Sequence, residues 1–509
     1  MGAHAFLKFP PAAEVDAAAA AERKRKAMLL RVLITFFLYA AAFTLVVPAF
    51  PTLLLRIAGG NNEMASSTYG AANCMRYFLE FFSSPYLGNV SDSYGRKRVL
   101  LLSLAVMATE FLALAMFPSI PTLFVVSALS GLGNSAMAMG YAIVTDLAEL
   151  NGPLTNNLGY FSAVFGLGFI LGPLCGSYLI SVSLPLCFFV AGVLCVVSLV
   201  FTWLCVDETC VAMRPFDSRK SNPLTSLRVF FSNADLRQLA VPYCASNLCT
   251  GIYFVWVMYM GNRFHATIVQ VGLFLSASGV CGVLVQGVAV PFLIPTVVSD
   301  EQATLLGLAL SSLQLLAYGF SPTLWVFYLV LVVLSPAGMY GPALKAMLAR
   351  TAGPDEQGAL QGALGSLRTV TAGLGSLLFS AAFSLSITVE RPKIAGLPFF
   401  VASAFYFFSF LYTWSYIVHY RRGPGRSAAG DKIRGDSGGN GTTLHTIPVF
   451  SGEESLNLLG VAATSADQVS RSALPPAATA FVFGGGGGCE ATADQLQYVA
   501  FGADDEADQ

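Results

Sequence analysis

Arg76, Glu80, Glu110 and Arg368 lie inside long apolar runs, several residues from the nearest run end. At about 1.5 Å rise per helical residue, Glu80, Glu110 and Arg368 fall near the middle of a bilayer-spanning helix. A charge there costs at least about 2.5–3.5 kcal/mol, so each is expected to face a partner or a water-filled cavity. Arginines in such a place can capture an anion, and a carboxyl whose pKa is raised by burial can exchange a proton. Glu110 is the candidate for proton coupling. Arg76, Glu80 and Arg368 are the candidates for binding a solute across two halves of the chain. The alternatives are plainer. Arg76 and Glu80 have the i,i+4 spacing of an ion pair along one helix face, Arg368 can be a packing cation held by carbonyls, and Glu110 a protonated carboxyl satisfied by a neighbouring helix.

The second group able to act is the turn Gly88-Asn89-Val90-Ser91-Asp92-Ser93-Tyr94-Gly95-Arg96-Lys97-Arg98, set between two apolar runs. Gly88 and Gly95 suit close helix packing and a turn with positive φ, while Arg96, Lys97 and Arg98 hold the turn on the cytoplasmic face. Asp92 at the membrane edge needs a cation or a helix N-terminus to dock on.

The elements that must position these groups are membrane helices. With 55% hydrophobic and 11% charged residues over 509 positions and a mean hydropathy of +0.65, the chain is read as an all-α polytopic membrane protein. Its net charge of −1 gives no reason to expect a nucleic-acid partner. Runs of spanning length recur at 29–51, 69–89, 99–117, 122–143, 158–180 and 184–206, then at 237–260, 269–291, 302–320, 324–346, 358–384 and 397–419. Twelve helices in two six-helix bundles follow: an N-terminal tail 1–28, a bundle 29–206, a central loop 207–236, a bundle 237–419 and a C-terminal tail 420–509.

Of the 28 Lys and Arg, only Arg56, Arg263, Arg391 and Lys393 fall in loops on the outer side and Arg76 and Arg368 within helices, so both termini are assigned to the cytoplasm. No signal peptide is read at the start, where Arg23-Lys24-Arg25-Lys26 precedes the first run. Residues 222–230 are expected to form a short amphipathic helix, and the Gly-, Ala- and Ser-rich residues 420–509 are read as disordered. The ten cysteines lie mostly in apolar runs without metal spacing, and neither a metal nor another cofactor is expected.

Helix 5 carries Gly159, Gly168, Gly172-Pro173 and Gly176, small residues that admit a close neighbour and a proline that bends the helix. The turn G-x-x-x-D-x-x-G-R-K-R resembles the signature loop between helices 2 and 3 of the major facilitator superfamily. The helix 5 spacing is similar to that of its proton-coupled drug antiporters, with Ser177 in place of a second glycine. Leu100–Leu104, Asn262-Arg263-Phe264 and Gln357-Gly358-Ala359-Leu360-Gln361-Gly362 add likeness to the tetracycline/proton antiporters and to the eukaryotic hippocampus-abundant-transcript family, whose basic positions Arg76 and Arg368 match. The likeness covers about residues 30–419.

That resemblance implies two halves around a central cavity, with Phe36, Tyr39, Tyr141 and Trp256 in helices that line it. It also implies that Asp92 docks at the N-terminus of helix 11 near Gly358 while Arg96 reaches Asp146. Three charged positions of the tetracycline antiporters are absent: Leu38, Ser311 and Ser127 stand where acids of helices 1 and 9 and an arginine of helix 4 would be, and only Glu110 remains. Tetracycline exchange by that machinery is not expected. The expected function is secondary transport of a small polar or anionic organic solute by alternating access, with possible proton coupling, by a monomer embedded in the lipid bilayer. A non-transporting receptor or scaffold on the same fold is the alternative. An enzyme is not expected, since there is no H-E-x-x-H pair and no serine with a histidine in its own helix stretch.

Overall fold

The computed structural model describes residues 12–149, 154–210, 215–216, 222–352, 357–388 and 396–421, all helix or short connection. The C-terminal tail lies outside them. The N-terminal helices are α1 (Ala12–Leu45), α2 (Ala49–Ile57), α3 (Asn62–Tyr94), α4 (Arg96–Met116), α5 (Ile120–Gly133), α6 (Ala136–Glu149), α7 (Leu154–Val182) and α8 (Leu184–Cys205). Two single turns follow, α9 (Pro223–Ser226) and α10 (Val229–Ser232). The C-terminal helices are α11 (Ala234–Leu248), α12 (Ile252–Phe264), α13 (Ile268–Leu284), α14 (Val290–Thr296), α15 (Asp300–Phe320), α16 (Leu324–Val333), α17 (Tyr340–Thr351), α18 (Gln357–Thr388) and α19 (Leu397–Ser415). Among the described residues nine helices are long and apolar enough to cross a membrane, or eleven if each of two bent pairs counts as one span.

Several expected boundaries move, each for a local reason. The first helix does not wait for residue 29. The alanines before Arg23 are strong helix formers and Glu22 pairs with Lys26 at 2.8 Å, so α1 already runs through the stretch assigned to a tail. It stops before Pro48, whose missing N–H ends the ladder, and the chain restarts in α2. The span expected at 122–143 is α5 plus α6. At the break between them, Ser103 Oγ accepts from Ser135 N at 2.9 Å and Asn134 Oδ1 from Ala136 N at 3.2 Å.

Pro336 likewise divides α16 from α17 through a 3₁₀ turn, Ser335–Met339, with a 46° bend. The span expected at 269–291 becomes α13, a π turn at Val285–Ala289 and α14, because Pro291 offers no N–H to the carbonyl of residue 287. Residues 222–230 form two single turns instead of an amphipathic helix, and they bury Val229 and Phe230 with Leu236 and Leu239.

Small residues bring the helices together, as expected where lipid removes the hydrophobic drive between them. Gly168, Gly172 and Gly176 of α7 lie on α1: a Cβ on them would come within 2.8 Å of Ala40 Cβ, 1.9 Å of Thr44 Oγ1 and 2.0 Å of the Leu45 carbonyl oxygen. Thr44 Oγ1 also donates to the Gly168 carbonyl at 2.8 Å. The opposite face of α7 meets α13, where Ser177 stands over Gly272 and Phe169 over Gly279. Gly159 has no such neighbour within 4 Å, so it takes no part in this seam.

α3 and α18 run antiparallel. Ser66 Oγ donates to the Ser380 carbonyl at 3.1 Å, and Gly373 packs on Tyr77. These contacts between N-terminal and C-terminal helices lie far from the turn at Gly95. Toward that turn, Gly88, Gly159 and Gly365 face open space. α3 and α18 are therefore held together along the part of their length remote from the hinge.

Candidate functional site: a charged hinge and the embedded charges

Gly95 makes the hinge possible. Its φ of +108° separates α3 from α4, and a Cβ there would lie 2.3 Å from Glu208 Oε2. The first N–H groups of α4 lack intrahelical partners, and the Glu208 carboxylate takes them: Arg96 N donates at 2.8 Å and Lys97 N at 3.1 Å. Arg96 then forks. Its Nε donates to Asp146 Oδ2 at 3.1 Å, and its Nη1 to Ser91 Oγ at 2.9 Å and to the Asp92 carboxylate. Lys97 Nζ donates to the Trp203 carbonyl at 2.9 Å.

The expected link from Arg96 to Asp146 is present. The expected dock of Asp92 near Gly358 lies outside the described side chains; the partner that Asp92 has is Arg96 of its own hinge. Gly88 does not mediate close packing in this state. Glu208→Ala is expected to cost about 1–2 kcal/mol through loss of this cap, read as a lower melting temperature of purified protein, with Glu208→Gln keeping part of it. An unchanged melting temperature in the Ala variant would remove Glu208 from the hinge.

A counterpart of the hinge pair exists with its charges exchanged. Asp300 opens α15 and is 8% exposed; Arg350 in the last turn of α17 brings Nη1 to 2.5 Å from its Oδ2, an oxygen with no other hydrogen-bond partner. In the first half the cation begins the helix after the hinge and the acid ends the helix beyond. Here the order is reversed, so the second pair does not repeat the basic cluster of the first.

Of the embedded charges, Glu110 is 5% exposed on α4 and accepts from Ser130 Oγ of α5. Arg76 of α3 is close to it. Its strongest electrostatic partner is Glu110, ahead of Tyr77, Glu80 and Tyr39. The Arg76 guanidinium nevertheless has no carboxylate within salt-bridge distance among the described residues, and its Nε is buried without a partner. The i,i+4 ion pair with Glu80 is not formed. Gly131 of α5 packs directly on the Arg76 backbone, which fixes this stretch of α3.

Arg368 of α18 is exposed and likewise without a carboxylate contact among the described residues. The exposed Val370, Leu374 and Leu377 lie on the other side of the helix from Arg368 at about 100° per residue. Arg76 and Arg368 belong to α3 and α18, the helices that cross at Tyr77 and Gly373.

The four aromatics divide. Phe36 and Tyr39 are buried, Phe36 against Phe161 with ring centroids 4.9 Å apart, while Tyr141 is 47% exposed at the edge of that cluster. Trp256 packs on Tyr253, Phe274 and Tyr318, and its Nε1 is buried without a partner. A separate cavity of about 530 Å³ lies at the end away from the hinge, lined by Tyr259, Asn262, Arg263, Phe320, Phe383 and Ser386 among others, and holds none of the embedded charges. Sequence reading missed Glu208, Ser130 and the Asp300–Arg350 pair, since their partners lie on other helices.

The chain is similar to known proteins over its helical part. The family model described as Major Facilitator Superfamily matches residues 32–376. The class C tetracycline resistance protein of Escherichia coli is 28% identical over 371 residues, covering 72% of this chain and 91% of that protein. Hippocampus abundant transcript-like protein 1 of Homo sapiens is 25% identical over 366 residues, covering 67% and 72%. In fold, the crystal structure of the human organic anion transporter MFSD10 (TETRAN) matches 76% of this chain and 99% of its own, with a TM-score of 0.59 at 22% identity.

Proposed function

The chain belongs to the major facilitator superfamily, and on that premise we propose that it is a secondary transporter of a small polar or anionic organic solute. Proteins of this fold move small solutes by alternating access between two halves. The observation that carries the substrate class is the pair of cations Arg76 and Arg368 on α3 and α18, helices of opposite halves, neither within salt-bridge distance of a carboxylate among the described residues. Guanidinium groups left without a carboxylate favour an anionic partner.

The halves are residues 29–206 and 237–419. The long helix α3 completes the twelve spans; with Asn73, Arg76 and Glu80 among many polar residues it is less apolar than the others. The hinge end, with Arg96, Lys97 and Arg98, is cytoplasmic, as are both termini. Likeness to the tetracycline resistance and hippocampus abundant transcript proteins supports that branch of the family. The missing acids at Leu38 and Ser311 argue against tetracycline itself.

Purified protein in vesicles, screened with organic anions under imposed gradients, tests this reading. Saturable flux of an anion is the expected result; binding without flux under any gradient would instead support a receptor that lost transport, the reading those missing acids favour. If protons drive the cycle, Glu110 is the coupling carboxyl. Glu110→Gln is then expected to leave uptake indifferent to a pH gradient, and gradient-driven accumulation in that variant would place coupling elsewhere.

A further inference from the structure

The cavity at the end away from the hinge lies within the C-terminal helices, where the ends of four of them converge. Tyr259, Asn262 and Arg263 come from the last turns of α12, Phe320 from the end of α15, Ser386 from the far end of α18 and Phe400 from the first turn of α19. Its volume of about 530 Å³ suits a small organic molecule, since pockets for such ligands run from about 300 to 1,000 Å³. The backbone sets its outline. His265, with a φ of +51°, ends α12 directly after Phe264, and Ala266 N bonds back to the Met260 carbonyl at 3.2 Å, so the chain turns away and leaves Asn262 and Arg263 exposed at the mouth. Gly319 and Gly396 hold α15 and α19 together along one side, where a Cβ on Gly396 would come within 2.5 Å of the Gly319 carbonyl oxygen. The Phe320 and Phe400 rings, 4.7 Å apart, form an apolar wall there.

The polar groups of this cavity lack the partners that their charges and donors call for. The Tyr259 ring is fixed edge-on to Phe399 at 4.7 Å and to Phe264 at 5.7 Å, and its hydroxyl is buried without a hydrogen bond. Arg263 follows one turn later on the same face of α12 and is the electrostatic neighbour of that hydroxyl. Among the described residues no carboxylate is within salt-bridge distance of Arg263, and no acidic side chain lines the cavity. Ser386 already donates to the Phe383 carbonyl at 2.6 Å. The donors that remain are the Arg263 fork, the Asn262 amide and the Tyr259 O–H, and a buried donor left unpaired is costly unless a ligand answers it.

We propose that this cavity is a second ligand site, which binds an amphipathic carboxylate: the acid group accepts from Arg263 and Tyr259, and an aromatic or aliphatic body lies against Phe320, Phe383 and Phe400. One cation between apolar walls suits a single charge on an apolar body. The site does not rest on the transport reading, because none of the embedded charges lines it. An aromatic acid from solution and a fatty acid from the bilayer present the same carboxylate, so the two sources are separated by experiment.

The test uses the full chain in nanodiscs of neutral lipid, titrated with naphthalene-2-carboxylate from solution and, separately, with oleate carried in the bilayer, each against its methyl ester. Wild type is expected to bind at least one of the acids roughly tenfold more tightly than its ester, as a hydrogen-bonded ion pair provides; which acid it is identifies the source. Arg263→Gln should lower that acid to the level of its ester, Arg263→Lys should keep part of the preference, and Tyr259→Phe should weaken the acid roughly threefold while the ring stays packed. Ser386→Phe, which fills the cavity, should weaken acid and ester alike. Melting temperatures without ligand confirm that each variant folds. A wild type that binds neither acid better than its ester, or a preference that survives Arg263→Gln, overturns the proposal and leaves the transport reading in place. Loss of the preference in Arg368→Ala but not in Arg263→Gln would assign the anion to the embedded charges and likewise overturn it.

Discussion

Replacing Arg368 by alanine is expected to abolish binding and transport of the anionic solute while the protein still folds and reaches normal abundance. The side chain is exposed and is held by no carboxylate among the described residues, so its removal leaves no buried acid orphaned and opens no packed core. What is lost is the charge and the planar fork. Loss of a charge-assisted pair of this kind weakens binding by about 2–5 kcal/mol, which moves a micromolar ligand to between tens of micromolar and the millimolar range. Arg368→Lys separates the two contributions: partial retention follows if charge suffices, and loss equal to that of alanine follows if the fork is required. Unchanged flux in the alanine variant, at matched abundance, would mean that Arg368 is a packing residue.

The largest effect on stability is expected from a single added methyl group. Gly176→Ala puts a Cβ 2.0 Å from the Leu45 carbonyl oxygen, and Gly375→Ala puts one 1.9 Å from that of Leu248. Both obstacles are backbone, so no rotamer change relieves them and whole helices must part by an ångström or more. A cost of about 3 kcal/mol or above is expected, at or beyond the upper end for overpacking. Gly88→Ala and Gly159→Ala are the controls, since nothing lies within 4 Å of either. In a helix interior each should be neutral or stabilising by about 0.5–1 kcal/mol. Melting temperatures of the four variants decide the matter: a small, equal effect at all four would mean that α1, α7 and the helices around Gly375 do not pack as described.

The same comparison exposes a property of motif reading. Gly159, Gly168, Gly172 and Gly176 form one pattern in the sequence, yet three sit in a tight seam and the fourth faces open space. A seam depends on what the other helix presents. Ala40, Thr44 and Leu45 belong to α1, more than a hundred positions away.

By itself the sequence determined that this is a polytopic helical membrane protein, and it placed the hinge. Apolar run length and the cost of burying backbone in lipid leave a bilayer few other architectures, and a positive φ at Gly95 follows from the residue type at the turn, while the Arg96–Asp146 pair was implied by the turn's resemblance to the family's loop. It also marked Arg76, Glu110 and Arg368 as embedded charges, because the solvation penalty is a property of the residue and its depth.

Only the tertiary structure decided how those charges are answered. Arg76 makes no ion pair with Glu80 four residues away; Glu110 accepts from Ser130 of another helix; and Asp300 finds Arg350 across half the second set of helices. The helix breaks at Asn134, Gly251 and Pro336 were likewise invisible to hydropathy, which registers apolar length and not direction. Each of these outcomes depends on which helices pack side by side, and neighbours are chosen by the summed fit of small residues along many seams, a quantity that no single stretch of the chain contains.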